Sequence, residues 1–156
     1  MRKLLLASFL LLLSTLPALA APDSIEGFSF GGSADEIVSR MGEPSSIEGP
    51  VYSRSTNAWV WSWDYSRYGA LFQVEAATQD GTKIIRSLTI VPPSNWKTAS
   101  GLTLGDTTDK ILKAYPDVTR YQDSLWFARS SDRRNVVGFE LNGSRIKSIF
   151  IGSMRQ

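Results

Sequence analysis

Gly27-Phe28-Ser29-Phe30-Gly31 and, 74 positions further on, Gly101-Leu102-Thr103-Leu104-Gly105 are two versions of one pattern. The register continues beyond both pentapeptides, with Ser33 matching Thr107, Asp35 matching Asp109, Ile37 matching Ile111 and Val38 matching Leu112. Near the other end of each copy, Ile85-Arg86-Ser87-Leu88-Thr89-Ile90 matches Ile146-Lys147-Ser148-Ile149-Phe150-Ile151 at an offset of 61, so the second copy is 13 residues shorter. Self-similarity at a fixed long period marks one supersecondary unit used twice. The copies are expected over residues 25–91 and 98–152, joined by a stiff linker over 92–97, where Pro92-Pro93 removes backbone donors and disfavours helix.

Each copy reads as a helix followed by strands. Ser33 with Glu36 three residues on is a capping-box pattern, Ile37, Val38 and Met41 share one helical face, and Gly42 with Pro44 ends the run. Thr107 opens the second helix, with Ile111, Leu112 and Tyr115 on its face and Pro116 as the stop. The period then changes to two over 59–65, 70–76 and 84–91, and again over 125–128, 136–141 and 145–151, with Asp80-Gly81 and Asn142-Gly143 as turns. The expected class is α+β: a tandem of two helix-plus-antiparallel-meander units, helices on one sheet face.

Composition narrows the chemistry. The chain has 156 residues, no His and no Cys. That excludes Ser-His-Asp and Cys-His nucleophilic machinery, zinc sites built on imidazole or thiolate, and dithiol redox chemistry. Arg2 and Lys3, the apolar run 4–16 and Ala18-Leu19-Ala20 form a cleavable secretory leader over residues 1–20, too short an apolar stretch for a membrane span. Without a Cys to carry lipid, the product is expected to be periplasmic or secreted and not a lipoprotein. Loss of Arg2 and Lys3 leaves 15 basic against 15 acidic residues. A neutral balance offers no field for a phosphate backbone, so no nucleic acid and no membrane insertion are expected, and no cofactor.

Gly31-Gly32-Ser33 leading into Asp35-Glu36-Ile37-Val38, then Met41-Gly42-Glu43-Pro44 and Trp63-Asp64-Tyr65, resembles a pattern shared by two related groups. They are the beta-lactamase inhibitor proteins, which carry the unit in tandem, and the small lipoprotein of the outer-membrane barrel-assembly machinery, which carries one. The second copy departs from the pattern, with Tyr115-Pro116 at the helix stop and Trp126-Phe127 in place of W-x-Y. The resemblance implies binding of another exported protein and no catalysis. It points to an inhibitor or immunity-type antagonist of an exported enzyme; the alternative is an envelope assembly or scaffold factor.

Two enzymatic readings compete with this one. Gly27-Phe28-Ser29-Phe30-Gly31 is a literal G-x-S-x-G, but an elbow serine needs a base, His is absent, and the repeat returns the same backbone pattern around Thr103. A carboxylate hydrolase built from Asp64, Glu75 and Glu140 is the remaining route, and it requires two acids about 5 to 9.5 Å apart.

The candidate partner-binding residues are Trp59, Trp61, Tyr68, Trp126, Arg133, Arg134 and Phe150. Trp and Tyr dominate interface hot spots and Arg grips carboxylates. Leu88, Ile90, Ile149 and Ile151 are assigned inward, so Ser87, Thr89, Ser148 and Phe150 point to the opposite, helix-free side, expected to be a shared concave surface.

Overall fold

The computed structural model describes residues 23–129 and 135–153. The expected leader lies outside them. The described residues open with a short hairpin: β1 (Ser24–Ile25) pairs with β2 (Phe28–Ser29) across Glu26 and Gly27, both at positive φ. The first helix, α1 (Ala34–Met41), starts at Ser33, whose Oγ accepts from the Asp35 backbone N–H at 3.2 Å. The reciprocal half of the expected capping box is replaced, because Glu36 instead pairs with Arg40 one turn on, at 3.2 Å.

Four strands follow: β3 (Ser46–Ser53), β4 (Ala58–Tyr65), β5 (Ala70–Ala76) and β6 (Ile84–Ile90). After a long connection come α2 (Thr108–Ala114), β7 (Thr119–Gln122), β8 (Leu125–Arg129), β9 (Val136–Asn142) and β10 (Arg145–Gly152). All eight strands β3–β10 form one antiparallel sheet, in the order β3-β4-β5-β6-β10-β9-β8-β7. No helix among the described residues is long and apolar enough to cross a membrane.

This overturns the expected α+β tandem of helix-plus-meander units. The described residues are mostly β, and the two α-helices among them are only eight and seven residues long. The physical reason lies at β6 and β10, the last strand of each copy, whose inward Leu88, Ile90, Ile149 and Ile151 are buried. They pair with each other through Ile149↔Ile90, Phe150↔Thr89, Ile151↔Leu88 and Gly152↔Ser87, so strands assigned to separate meanders share one ladder. Two further strands, β3 and β7, went unread because they lie at the sheet edges. Almost every residue of β3 is exposed and all four of β7 are, so neither shows the alternation that a half-buried strand produces.

One face of the sheet is covered. Ile37 and Met41 of α1, Ile111 of α2, Ile25 and Phe28 of the small hairpin, and Leu102 all belong to the same buried cluster as Trp63, Phe72, Leu88, Ile90, Phe139, Ile149 and Ile151. The segment read as an extended linker contributes as well: Trp96 packs with its ring centroid 5.8 Å from Phe28 and 6.4 Å from Phe72.

The C-terminal carbonyls of α1 are tied to the sheet. The Tyr65 hydroxyl donates to the Gly42 carbonyl at 2.8 Å, and Arg67 Nη2 donates to the Met41 carbonyl at 2.7 Å. Burial, with Glu43 adding to it, holds the Tyr65 phenol above its ordinary value, so it stays a donor. Tyr65→Phe is expected to cost about 1 kcal/mol, because the ring still fills its site while one carbonyl loses its partner. Urea unfolding with an unchanged m-value is the check.

Candidate functional site

Residues directly opposite each other on neighbouring strands point to the same side of a sheet. Following the register across all eight strands gives one row on the helix-free face: Ser46, Asp64, Leu71, Thr89, Phe150, Gly138, Phe127 and Thr119. Its flanking positions on the same strands, Trp63, Phe72, Leu88, Ile149 and Phe139, belong to the core. In the C-terminal half of this row, on β10, β9 and β8, Phe150 and Phe127 stand on either side of Gly138.

The glycine is what lets both rings lie low. A Cβ at Gly138 would come within 2.9 Å of Phe127 Cε1, and one at Gly152 within 2.5 Å of Phe150 Cζ. Rings laid over strand glycines cover backbone that would otherwise be bare. Together with Leu125, Glu140 and Ser148 they line an open hollow of about 360 Å³. Phe150 and Phe127 are half-buried, and Leu71, along the same row, is exposed.

The hollow has one ionised corner. Lys147 Nζ donates to Glu140 Oε1 at 2.7 Å and Ser148 Oγ to Oε2 at 3.0 Å, and these bonds hold the Glu140 carboxyl below its ordinary range. Glu140 therefore remains a charged acceptor. The carboxylates of the hydrolase reading are dispersed. Glu75 on β5 and Glu140 on β9 are three strands apart and displaced in opposite directions along them, so their separation exceeds the ~14 Å that strand spacing alone gives. Asp64 and Glu75 are on adjacent strands, but Asp64 faces Leu71, four positions along from Glu75, about 13 Å. None of these separations matches the two-carboxylate geometry.

The predicted partner-binding residues divide between locations. Trp61 and Trp126 are 7% and 5% exposed, in the core under the helices; they are corrected from surface anchors to packing residues. The reason is register: Trp61 stands opposite Val74 and Trp126 opposite Phe139, both fully buried. Lys83 and Arg120 cap these two indoles, with the cations 4.6 and 4.4 Å from the ring centroids. Trp59 lies on that side too, half-buried, its ring 5.3 Å from Tyr52.

Tyr68 sits in the turn after β4, stacked on Trp96 at 6.1 Å with the Arg67 guanidinium over its ring. Of the five candidates among the described residues, Phe150 alone belongs to the helix-free row. Arg133 and Arg134 fall outside the described residues.

Phe127, Leu125 and Leu71 were missed by the sequence reading. In Leu125-Trp126-Phe127-Ala128 the alternation shows that Trp126 and Phe127 face opposite ways, but not which of them faces out. The available signal was Gly138 in the interior of a strand, a mark of close approach by a neighbouring side chain. No family model, no curated protein and no solved structure matches the chain.

Proposed function

We propose that the protein is an exported protein-binding module, an inhibitor or immunity-type antagonist of an enzyme outside the cytoplasm, and that it docks through the helix-free face of its sheet. The observation that carries this reading is the Phe150–Gly138–Phe127 arrangement on β10, β9 and β8, in the second half of a row that crosses eight strands. A soluble protein normally keeps large aromatics off a solvated sheet face, and a hollow walled by two phenylalanines suits a protruding apolar side chain from a partner. Glu140, held ionised at the rim, suits a neighbouring basic or amide group on the same partner. The resemblance to the beta-lactamase inhibitor proteins favours the same reading, and a beta-lactamase or a cell-wall hydrolase is the first partner to try.

Capture from the organism's envelope and culture-fluid fractions, followed by mass spectrometry, identifies the partner. The captured enzyme is then assayed with increasing amounts of the purified protein. Activity that falls to a plateau near one equivalent supports an antagonist. Recovery of barrel-assembly components alone, with no enzyme inhibited, would replace it with the envelope-assembly reading.

A further inference from the structure

A second hollow lies at the Glu75 end of the same face, and we propose that it binds a small zwitterion, an α-amino acid. Glu75 is on the face opposite the core because it pairs with Val60 and Ile84, while its neighbours Val74 and Ala76 are buried. Arg86 reaches it through a register shift: Gln73 faces Ser87 and Val74 faces Ile85, which leaves Arg86 as the extra residue of a bulge. Bulges re-aim side chains, and this one sets Arg86 Nε 3.8 Å from Glu75 Oε2.

Both side chains are largely withdrawn from water, 24% exposed for Arg86 and 17% for Glu75. The pair is nevertheless not hydrogen-bonded, since 3.8 Å is beyond that range. Glu75 Oε2 is buried with no hydrogen-bond partner, and so is Thr56 Oγ1 in the turn between β3 and β4. Glu75, Arg86, Thr56, Ser55 and Phe30 line a hollow of about 250 Å³.

The chemistry of the ligand follows from these groups. A largely desolvated ion pair without hydrogen bonds is poorly compensated, and the orphaned oxygens of Glu75 and Thr56, which line the same hollow, require hydrogen-bond partners. A lone cation would satisfy Glu75 but meet the Arg86 charge; a lone anion would do the reverse. A net-neutral molecule with an ammonium beside a carboxylate answers both, donating to Glu75 and Thr56 and accepting from Arg86 through charge-assisted bonds. The volume equals that of about eight liquid water molecules, which admits glycine, alanine or serine with the side chain against Phe30.

The test is an amide-resolved NMR titration of the purified protein with glycine, L-alanine and L-serine, with acetate and methylamine as the separated halves. The expected result is saturable shifts at Thr56, Glu75 and Arg86 with at least one amino acid, and affinity at least about tenfold weaker for either half. Glu75→Gln and Thr56→Val should each weaken binding while the rest of the spectrum is unchanged. If Glu75→Gln does not fold, Thr56→Val alone decides. Absence of saturable shifts at these residues, equal binding of acetate or methylamine, or equal binding by a folded variant overturns the proposal. Neither Phe150 nor a protein partner enters this experiment, so its outcome is separate from that of the docking face.

Discussion

Gly69→Ala is expected to lower the free energy of unfolding by about 3 to 5 kcal/mol, the upper range for a single substitution. Gly69 has φ 61 and ψ 36, the left-handed conformation that a Cβ disfavours. A Cβ there would also penetrate the Val91 carbonyl oxygen and approach the backbone nitrogens of Ser94 and Pro93 to 2.7 and 3.1 Å. These are main-chain atoms, and they have no rotamer to escape into. They are held in place because Gly69 N–H donates to the Ser66 carbonyl and the Val91 N–H donates to the Gly69 carbonyl, both at 2.9 Å. Gly143→Ala is the internal control: its φ is 60, but nothing lies within 4 Å of its Cβ position, so only the conformational cost of about 1 kcal/mol remains. Denaturant unfolding of both variants measures the difference.

Phe72→Ala is expected to cost about 3 to 5 kcal/mol, from lost burial and the cavity left behind. Its ring is fully buried and meets Phe28 edge-on at 5.2 Å and Tyr65 at 5.7 Å, with Trp96 at 6.4 Å. Those partners come from the N-terminal hairpin, β4 and the segment after β6, so one truncation loosens the contact among three distant parts of the chain. Phe72→Leu keeps most of the volume and should cost less than about 1.5 kcal/mol. Thermal and urea unfolding of the two variants give the comparison. A loss below 1.5 kcal/mol for Phe72→Ala would mean that the aromatic cluster is not a shared core.

Local structure was the part most legible in the sequence. Gly42 and Pro116 stop helices where their backbone constraints require it, and the alternation in Leu88-Thr89-Ile90 and Ile149-Phe150-Ile151 separates inward from outward residues, as the burial of the four aliphatics reflects. What stayed hidden was nonlocal. The β6–β10 ladder joins residues about sixty positions apart, and no local pattern states which strand an apolar strand will choose. For the same reason Trp61 and Phe150 were placed on one surface although the sheet puts them on opposite sides. Large aromatics look alike in sequence, and the face each one takes depends on the residue across the ladder, Val74 for Trp61 and Gly138 for Phe150. Glu75 and Arg86 lie on neighbouring strands that the sequence shows, but the bulge that brings them together has no signature in the residues around it.

The most direct test of the docking face is the affinity of the captured partner for three proteins: wild type, Phe150→Ala, and Leu112→Ala, which removes an exposed side chain from α2 on the covered side. Phe150→Ala is expected to weaken binding by about 30-fold or more, equivalent to about 2 kcal/mol, while its melting temperature stays near that of wild type and Leu112→Ala binds normally. Unchanged affinity of Phe150→Ala, or loss of binding in Leu112→Ala instead, would contradict it.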